Sequence, residues 1–218
     1  MKNLYPKFEG KYTYKASLYL AQIICDVFAR IDISGYENVP DGPCIVAANH
    51  VSYLDPFSMG FIDEREFSVV ARDTLMKNAL AKKILTSLNA IPIKRGQSNN
   101  LGVFREMLSQ IKAGRSIIIF PEGTRSADGS LQRGKAGVGF LALKAGVPIL
   151  PVRTFGFEDV LPRSGKLGGG VRIDMVIGKP ISPAEIDPGR DDPDRAQKAV
   201  DAIMQRIGVL QKPRFNQL

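Results

Sequence analysis

Pro43-Cys44-Ile45-Val46-Ala47-Ala48-Asn49-His50-Val51-Ser52-Tyr53-Leu54-Asp55-Pro56 is the stretch whose reading decides the fold. Its first half is a continuous apolar run that follows the turn-forming Asp41-Gly42-Pro43, and a short run so bounded is a buried strand. Its second half closes on an aspartate suited to an N-cap and a proline suited to the first helical position, which together start a helix. A strand passing through a short loop into a helix is the repeating unit of α/β proteins. The same run carries His50, the chain's only histidine.

The pattern repeats outward from this stretch. Strands are expected at Cys44 to Ala48, Phe67 to Ala71, Ala90 to Ile93, Ser116 to Phe120, Pro148 to Val152 and Val171 to Ile177. Helical periodicity fills Leu75 to Leu88, Leu101 to Lys112, Lys135 to Lys144 and Asp194 to Ile207. Alternation of this kind predicts an α/β fold with a mostly parallel central sheet flanked by helices. Such sheets gather their chemistry at the carboxyl ends of the strands. Gly165 to Gly170 reads as a loop before the last strand, and Pro180 to Pro193 as a connector to the C-terminal helix. The 218 residues suit one α/β domain over 35–218, which follows an N-terminal helical segment over 1–34.

That segment combines Lys2, Lys7, Lys11 and Lys15 with the apolar run Ala16 to Ala29, which Ser17, Gln22 and Asp26 interrupt. Fourteen helical residues reach about 21 Å, short of the roughly 30 Å hydrocarbon core of a bilayer. With no small-x-small cleavage site after a clean apolar region, it does not read as a signal peptide. The expectation is an amphipathic helix lying in the headgroup layer, with lysines facing anionic lipid. The alternative is an ordinary helix packed on the core.

The formal net charge of +8 calls for a negative partner. Zinc-finger spacing, an RNP-type aromatic motif, a long basic helix and tryptophan are all missing, which argues against nucleic acid and leaves lipid or phosphate. The two cysteines, Cys25 and Cys44, lie in apolar runs and make no disulfide framework, so a reduced compartment is expected. Cys44 could in principle pair with His50 as a nucleophile, but a small core residue is the better reading. One histidine without a cysteine cluster offers few soft metal ligands.

Imidazole is the side chain whose unperturbed pKa suits proton transfer near pH 7. Asp55 lies five residues after His50, about 140° away on a regular helix, so the two meet only if the loop folds back. The carboxylate would then accept the imidazole proton and fix its tautomer, in place of or beside a plain N-cap role. A second group stands at the end of Ser116 to Phe120, in Pro121-Glu122-Gly123-Thr124-Arg125-Ser126. There Gly123 permits a positive φ or a close backbone approach, and Arg125 offers a planar fork for phosphate. The simpler reading pairs Glu122 with Arg125. Gly129 to Ala136 nearly matches a P-loop, but Ala136 lacks the hydroxyl that would hold Mg²⁺ and no strand directly precedes it.

Taken together, Asn-His-x-Ser-x-x-Asp at 49–55 and Phe-Pro-Glu-Gly-Thr-Arg-Ser at 120–126 resemble the glycerophospholipid acyltransferases, specifically the 1-acyl-glycerol-3-phosphate acyltransferase family with its HX4D motif. Ile91 to Gly96 is similar to that family's arginine-ending block, and Val147 to Val152 to its Val-Pro-Ile-x-Pro-Val block. The resemblance covers about residues 40–155. It implies that His50 is the general base for an acceptor hydroxyl and that Asp55 orients it. The hydroxyl would attack an acyl thioester directly, since no Gly-x-Ser-x-Gly elbow supplies a nucleophile. Arg72, Arg95, Arg125 and Lys135 would hold the acceptor's phosphate, with Glu122 and Gly123 shaping the same subsite. Arg72 departs from the family's usual lysine.

The implied partners are a membrane lipid surface, a lysophospholipid, and acyl-CoA or acyl-carrier protein as co-substrate, with no cofactor and no metal. The implied location is the cytoplasmic face of the cell membrane, peripheral or monotopic. The alternatives are an acyltransferase acting on another lysophospholipid or an amino-lipid hydroxyl, and a non-catalytic membrane phospholipid-binding protein.

Overall fold

The computed structural model describes residues 11–94, 101–126, 128–160 and 170–213. Its centre is a seven-stranded sheet: β1 (Ala29–Ser34), β2 (Ile45–Ala48), β3 (Phe67–Arg72), β4 (Ile91–Ile93), β5 (Ser116–Ile119), β6 (Ile149–Phe155) and β7 (Val171–Ile177), in the order β1-β7-β6-β2-β5-β3-β4. Among the described strands only β6 and β7 run antiparallel; every other neighbouring pair is parallel. The expected mostly parallel α/β sheet is what forms, and six of its strands lie where the apolar runs fall.

The helices are α1 (Tyr12–Phe28), α2 (Asp55–Ser58), α3 (Ala79–Ser87), α4 (Leu101–Lys112), α5 (Ala136–Ala145), α6 (Phe157–Val160) and α7 (Arg195–Gly208). Strand side chains alternate between two cores. Cys44, Val46 and Ala48 join the core under α1, whereas Ile45 and Ala47 join the one under α4, α5 and α7. Because both faces are covered, β2 is buried throughout and reads as a continuous apolar run. Helices α5 and α7 approach so closely that a Cβ at Gly139 would stand 1.9 Å from the Ala196 carbonyl oxygen. Only glycine fits there.

Two expectations are corrected. Residues 29–34, assigned to the N-terminal helical segment, form the edge strand β1, paired with β7 from Ala29↔Val171 to Ser34↔Val176. Ala29 and Ile31 face the core, and Asp32 stands opposite Asp174, where the Arg172 guanidinium reaches both carboxylates. The helix expected over 75–88 is split into a 3-10 turn at Asp73–Lys77 and α3, because the Asn78 side chain accepts the Ala81 N–H at 3.0 Å and starts a new helix.

Helix α1 buries Tyr14, Leu18, Ala21 and Cys25 at helical spacing against the sheet. Its outer face leaves Tyr12, Leu20, Ile23 and Val27 more than half exposed. Among the described residues no helix is long and apolar enough to cross a membrane. Pro180 to Pro193 is the expected connector, tied to the sheet by the Ile149↔Ile181 bridge and containing a short 3-10 turn closed by a Ser182/Glu185 capping box. The loop expected at Gly165 to Gly170 lies, except for its last residue, outside the described residues.

Candidate active site

The loop after β2 does fold back. Asp55 Oδ2 lies 2.7 Å from His50 Nδ1 and also accepts the N–H groups of Val51 at 2.7 Å and Ser52 at 2.8 Å. One buried oxygen therefore takes three donors, and charge-assisted bonds of this kind make a tight, specific turn. Leu54, not Asp55, is the N-cap residue of α2, and the Asp55 side chain reaches backward to the loop instead of forward along the helix. With Nδ1–H facing a carboxylate, the neutral imidazole keeps Nε2 as its acceptor. The His50 side chain is 19 % exposed, so that nitrogen's ring is neither sequestered nor freely mobile. Phe120, at the end of β5, stacks on the imidazole with centroids 4.2 Å apart and planes 20° apart.

The loop after β5 grips the backbone of His50 from both sides. Ser126 N–H donates to the His50 carbonyl at 2.7 Å, and His50 N–H donates to Glu122 Oε1 at 3.2 Å. Glu122 is 1 % exposed. Burial pushes its carboxyl up to about 7, against the opposing pull of the His50 and Gln132 N–H groups and with a further push from the Asp55 charge. Asn49 is locked across the sheet: its Oδ1 accepts the Thr154 N–H at 2.7 Å, and its amide donates to the Thr154 carbonyl at 3.0 Å. His50 is thus held at both peptide faces, at Nδ1 and on one ring face.

Gly123 takes a φ of +66°, and the side chain of Lys135 passes over it, so that a Cβ there would meet Lys135 Cγ at 3.4 Å. Lys135 N–H in turn donates to the Pro121 carbonyl at 2.9 Å, which ties the start of α5 to the same loop. Arg125 does not pair with Glu122. Its guanidinium stacks on the Tyr53 ring, Cζ 3.4 Å from the centroid, and its buried Nη1 has no hydrogen-bond partner among the described residues.

Arg72 ends β3 and is exposed. Val46 and Val69 both face Ile118, so the parallel register, continued to the strand ends, brings Arg72 level with Asn49 two strands away. The sheet therefore gathers His50, Asp55, Gly123, Arg125 and Lys135 at one carboxyl edge, with Arg72 along it. Arg95 lies outside the described residues, as do Lys2, Lys7 and Arg214. Glu122, expected at the phosphate subsite, turns its carboxyl inward and accepts the backbone N–H of His50. Cys44 is fully buried with its thiol pushed up to about 11 by burial, which suits the core role and not a nucleophile. Among the described residues no three His, Cys, Asp or Glu side chains form a metal-binding group.

Three contributors were not singled out from sequence. Tyr53 sits inside the His50 to Asp55 spacing, where the motif leaves the residue unspecified. Phe120 was read as a strand end, and Thr154 carries no signal because its partner Asn49 is 105 residues away.

Comparison with known proteins places these residues in context. The family model described as Acyltransferase matches residues 30–154. A chloroplastic 1-acyl-sn-glycerol-3-phosphate acyltransferase of Brassica napus is 29% identical over 84% of this chain and 54% of its own length. A lyso-ornithine lipid O-acyltransferase of Pseudomonas aeruginosa is 26% identical over 85% of this chain and 75% of its own. The crystal structure of the 1-acyl-sn-glycerophosphate acyltransferase of Thermotoga maritima superposes with a TM-score of 0.70 at 28% identity, covering 88% of this chain and 77% of that one. The chain spans about half the length of the plant relatives that it matches.

Proposed function

This chain belongs to the acyltransferase family, and from that premise we propose that it moves a fatty acyl group from an acyl thioester to the sn-2 hydroxyl of 1-acyl-glycerol-3-phosphate, yielding phosphatidate. The observation that carries the reading is the Nδ1 lock: a buried aspartate on His50 Nδ1, which leaves Nε2 to receive a proton, at a strand edge lined with cations. In the proposed step the acceptor hydroxyl gives its proton to His50 Nε2 as its oxygen attacks the thioester carbonyl. The C–O bond forms, the C–S bond breaks, and the imidazolium returns the proton to the departing thiolate. Asp55 stabilises the imidazolium, and general-base help of this kind typically contributes about 10²- to 10⁴-fold.

Arg125, Lys135 and Arg72 are the proposed phosphate partners, joined by Arg95. The donor is acyl-CoA or acyl-carrier protein, and no cofactor enters the step. The exposed apolar face of α1, flanked by Lys11 and Lys15, supports docking on the membrane surface, proposed to be its cytoplasmic side. The likeness to a lyso-ornithine lipid acyltransferase supports a second reading, in which an amino-lipid hydroxyl is the acceptor.

The test is acyl transfer from palmitoyl-CoA and palmitoyl-acyl-carrier protein to lysophosphatidate, glycerol 3-phosphate, lyso-ornithine lipid and neutral lysophospholipids, with His50→Ala as the blank. Turnover confined to lysophosphatidate and lost in the variant upholds the first reading. Preference for lyso-ornithine lipid selects the second. Lysophospholipid binding without turnover, unchanged in His50→Ala, assigns a non-catalytic role.

A further inference from the structure

We propose that Tyr53 is a positioning residue for Arg125, its ring fixing the plane of the guanidinium that receives the acceptor's phosphate. The proposal rests on the phosphate-binding reading of Arg125 given above. Tyr53 occupies one of the unspecified positions between His50 and Asp55, where the spacing alone demands no aromatic ring.

The ring is a fixed platform. The residues on either side are tied down, Ser52 N–H to Asp55 Oδ2 at 2.8 Å and Leu54 N–H to the Ser52 hydroxyl at 3.2 Å. The backbone under Arg125 is fixed as well, because the next residue, Ser126, donates to the His50 carbonyl. Between these two anchored loops the guanidinium lies over the phenol ring with Cζ 3.4 Å from its centroid, too close for the guanidinium to stand on edge. Tyr53 is 46 % exposed, so its ring does not serve the core.

A planar guanidinium binds phosphate through two parallel N–H groups, and this works only when its plane is aimed. An arginine free to turn about its side-chain bonds must be ordered by the substrate at each binding event. Stacked on Tyr53, one face of the guanidinium is covered, and its Nη1 is buried with no hydrogen-bond partner among the described residues, a donor still to be satisfied. Because the platform belongs to the His50 to Asp55 loop, it also sets the phosphate site at a constant distance from the base. Tyr53 thereby orders the acceptor before the proton moves, and its contribution falls mainly on acceptor binding.

The experiment compares Tyr53→Leu, Tyr53→Phe, Arg125→Ala and the Tyr53→Leu/Arg125→Ala double variant, by steady-state kinetics with lysophosphatidate and by ¹⁵N NMR of the arginine guanidinium groups. Tyr53→Leu is expected to raise the acceptor KM about three- to thirtyfold with a smaller change in kcat, the range that a stacked cation on an aromatic ring supports. Tyr53→Phe keeps the ring and is expected to return KM to within about twofold of the parent. In the double variant kcat/KM should equal that of Arg125→Ala alone, since no guanidinium is left to position. In the spectra, distinct Nη signals of Arg125 should survive Tyr53→Phe and collapse to an average in Tyr53→Leu.

An Arg125→Ala effect on kcat/KM without any Tyr53→Leu effect overturns the positioning role and leaves the phosphate reading intact. No Arg125→Ala effect overturns both. A Tyr53→Leu penalty of equal size in the Arg125→Ala background assigns Tyr53 a direct contact with substrate and overturns the proposal. The NMR readout needs no turnover, so unchanged Nη signals in Tyr53→Leu overturn it even where every acceptor tried is silent.

Discussion

Glu122 turns its buried carboxyl onto the backbone N–H of His50 at 3.2 Å, so the loop that carries His50 rests on a group that burial pushes up to about 7. Folding raises that carboxyl from an ordinary value of 4.5 to about 7, so the folded chain holds a proton that the unfolded chain releases. The stabilisation from this group is fully present below pH 4.5 and is lost as pH rises through about 7, a span worth on the order of 3 kcal/mol. Glu122→Gln keeps an oxygen for the His50 N–H and cannot ionise. Urea unfolding at pH 5 and pH 7.5 should show a smaller fall in stability for the variant than for the parent, and an identical fall in both would remove Glu122 as the source.

Asp55→Asn tests the lock on Nδ1. The neutral amide weakens three bonds made to one oxygen and no longer selects the Nδ1–H tautomer, so kcat should drop by about 10²-fold or more. Stability should fall by about 1 to 3 kcal/mol, the worth of hydrogen bonds to a charged acceptor. Turnover within about threefold of the parent would show that the imidazole does not need the carboxylate.

Phe120→Leu removes the ring that stacks on His50 while retaining apolar bulk. Aromatic pairs contribute about 0.5 to 1.5 kcal/mol beyond their buried area, which corresponds to a loss in kcat of roughly two- to tenfold. The acceptor KM should hardly move, because Phe120 touches His50 and not the proposed phosphate partners. A change confined to KM would move Phe120 to the acceptor pocket.

The outer face of α1 supplies a test of membrane docking that leaves the core untouched. Leu20 and Ile23 are 56% and 60% exposed, so Leu20→Glu/Ile23→Glu should shift Tm by no more than a few degrees. Sedimentation with vesicles of anionic phospholipid should fall by about tenfold or more, since two apolar contacts are lost and two like charges gained. Equal sedimentation of variant and parent would assign docking to another surface.

Periodicity and local motif determined much of this protein without reference to its partners in space. The apolar runs at Ile45 to Ala48 and Ser116 to Ile119, short and bounded by turn residues, read as strands buried on both faces, which puts the residues that follow them at strand ends. His50, Asp55, Gly123 and Arg125 were legible for that reason, as was the need for the loop to fold back. Strand β1 was not, although Ala29-Arg30-Ile31-Asp32 alternates: it directly follows a helix, and it exists because β7 supplies its ladder from residues 171–176.

The tertiary structure decided which groups meet. β2 and β5 lie side by side although β3 and β4 intervene in the chain, and this adjacency alone places Ser126, Glu122 and Phe120 on His50. The direction of the Glu122 carboxyl and the seat of Arg125 over Tyr53 follow from the same crossing, whereas the partner of Asn49 comes from β6, which pairs with the other side of β2. A sequence lists donors and acceptors, but whether a buried carboxyl faces substrate or backbone depends on which N–H groups the packed sheet leaves beside it, and burial makes satisfying them compulsory.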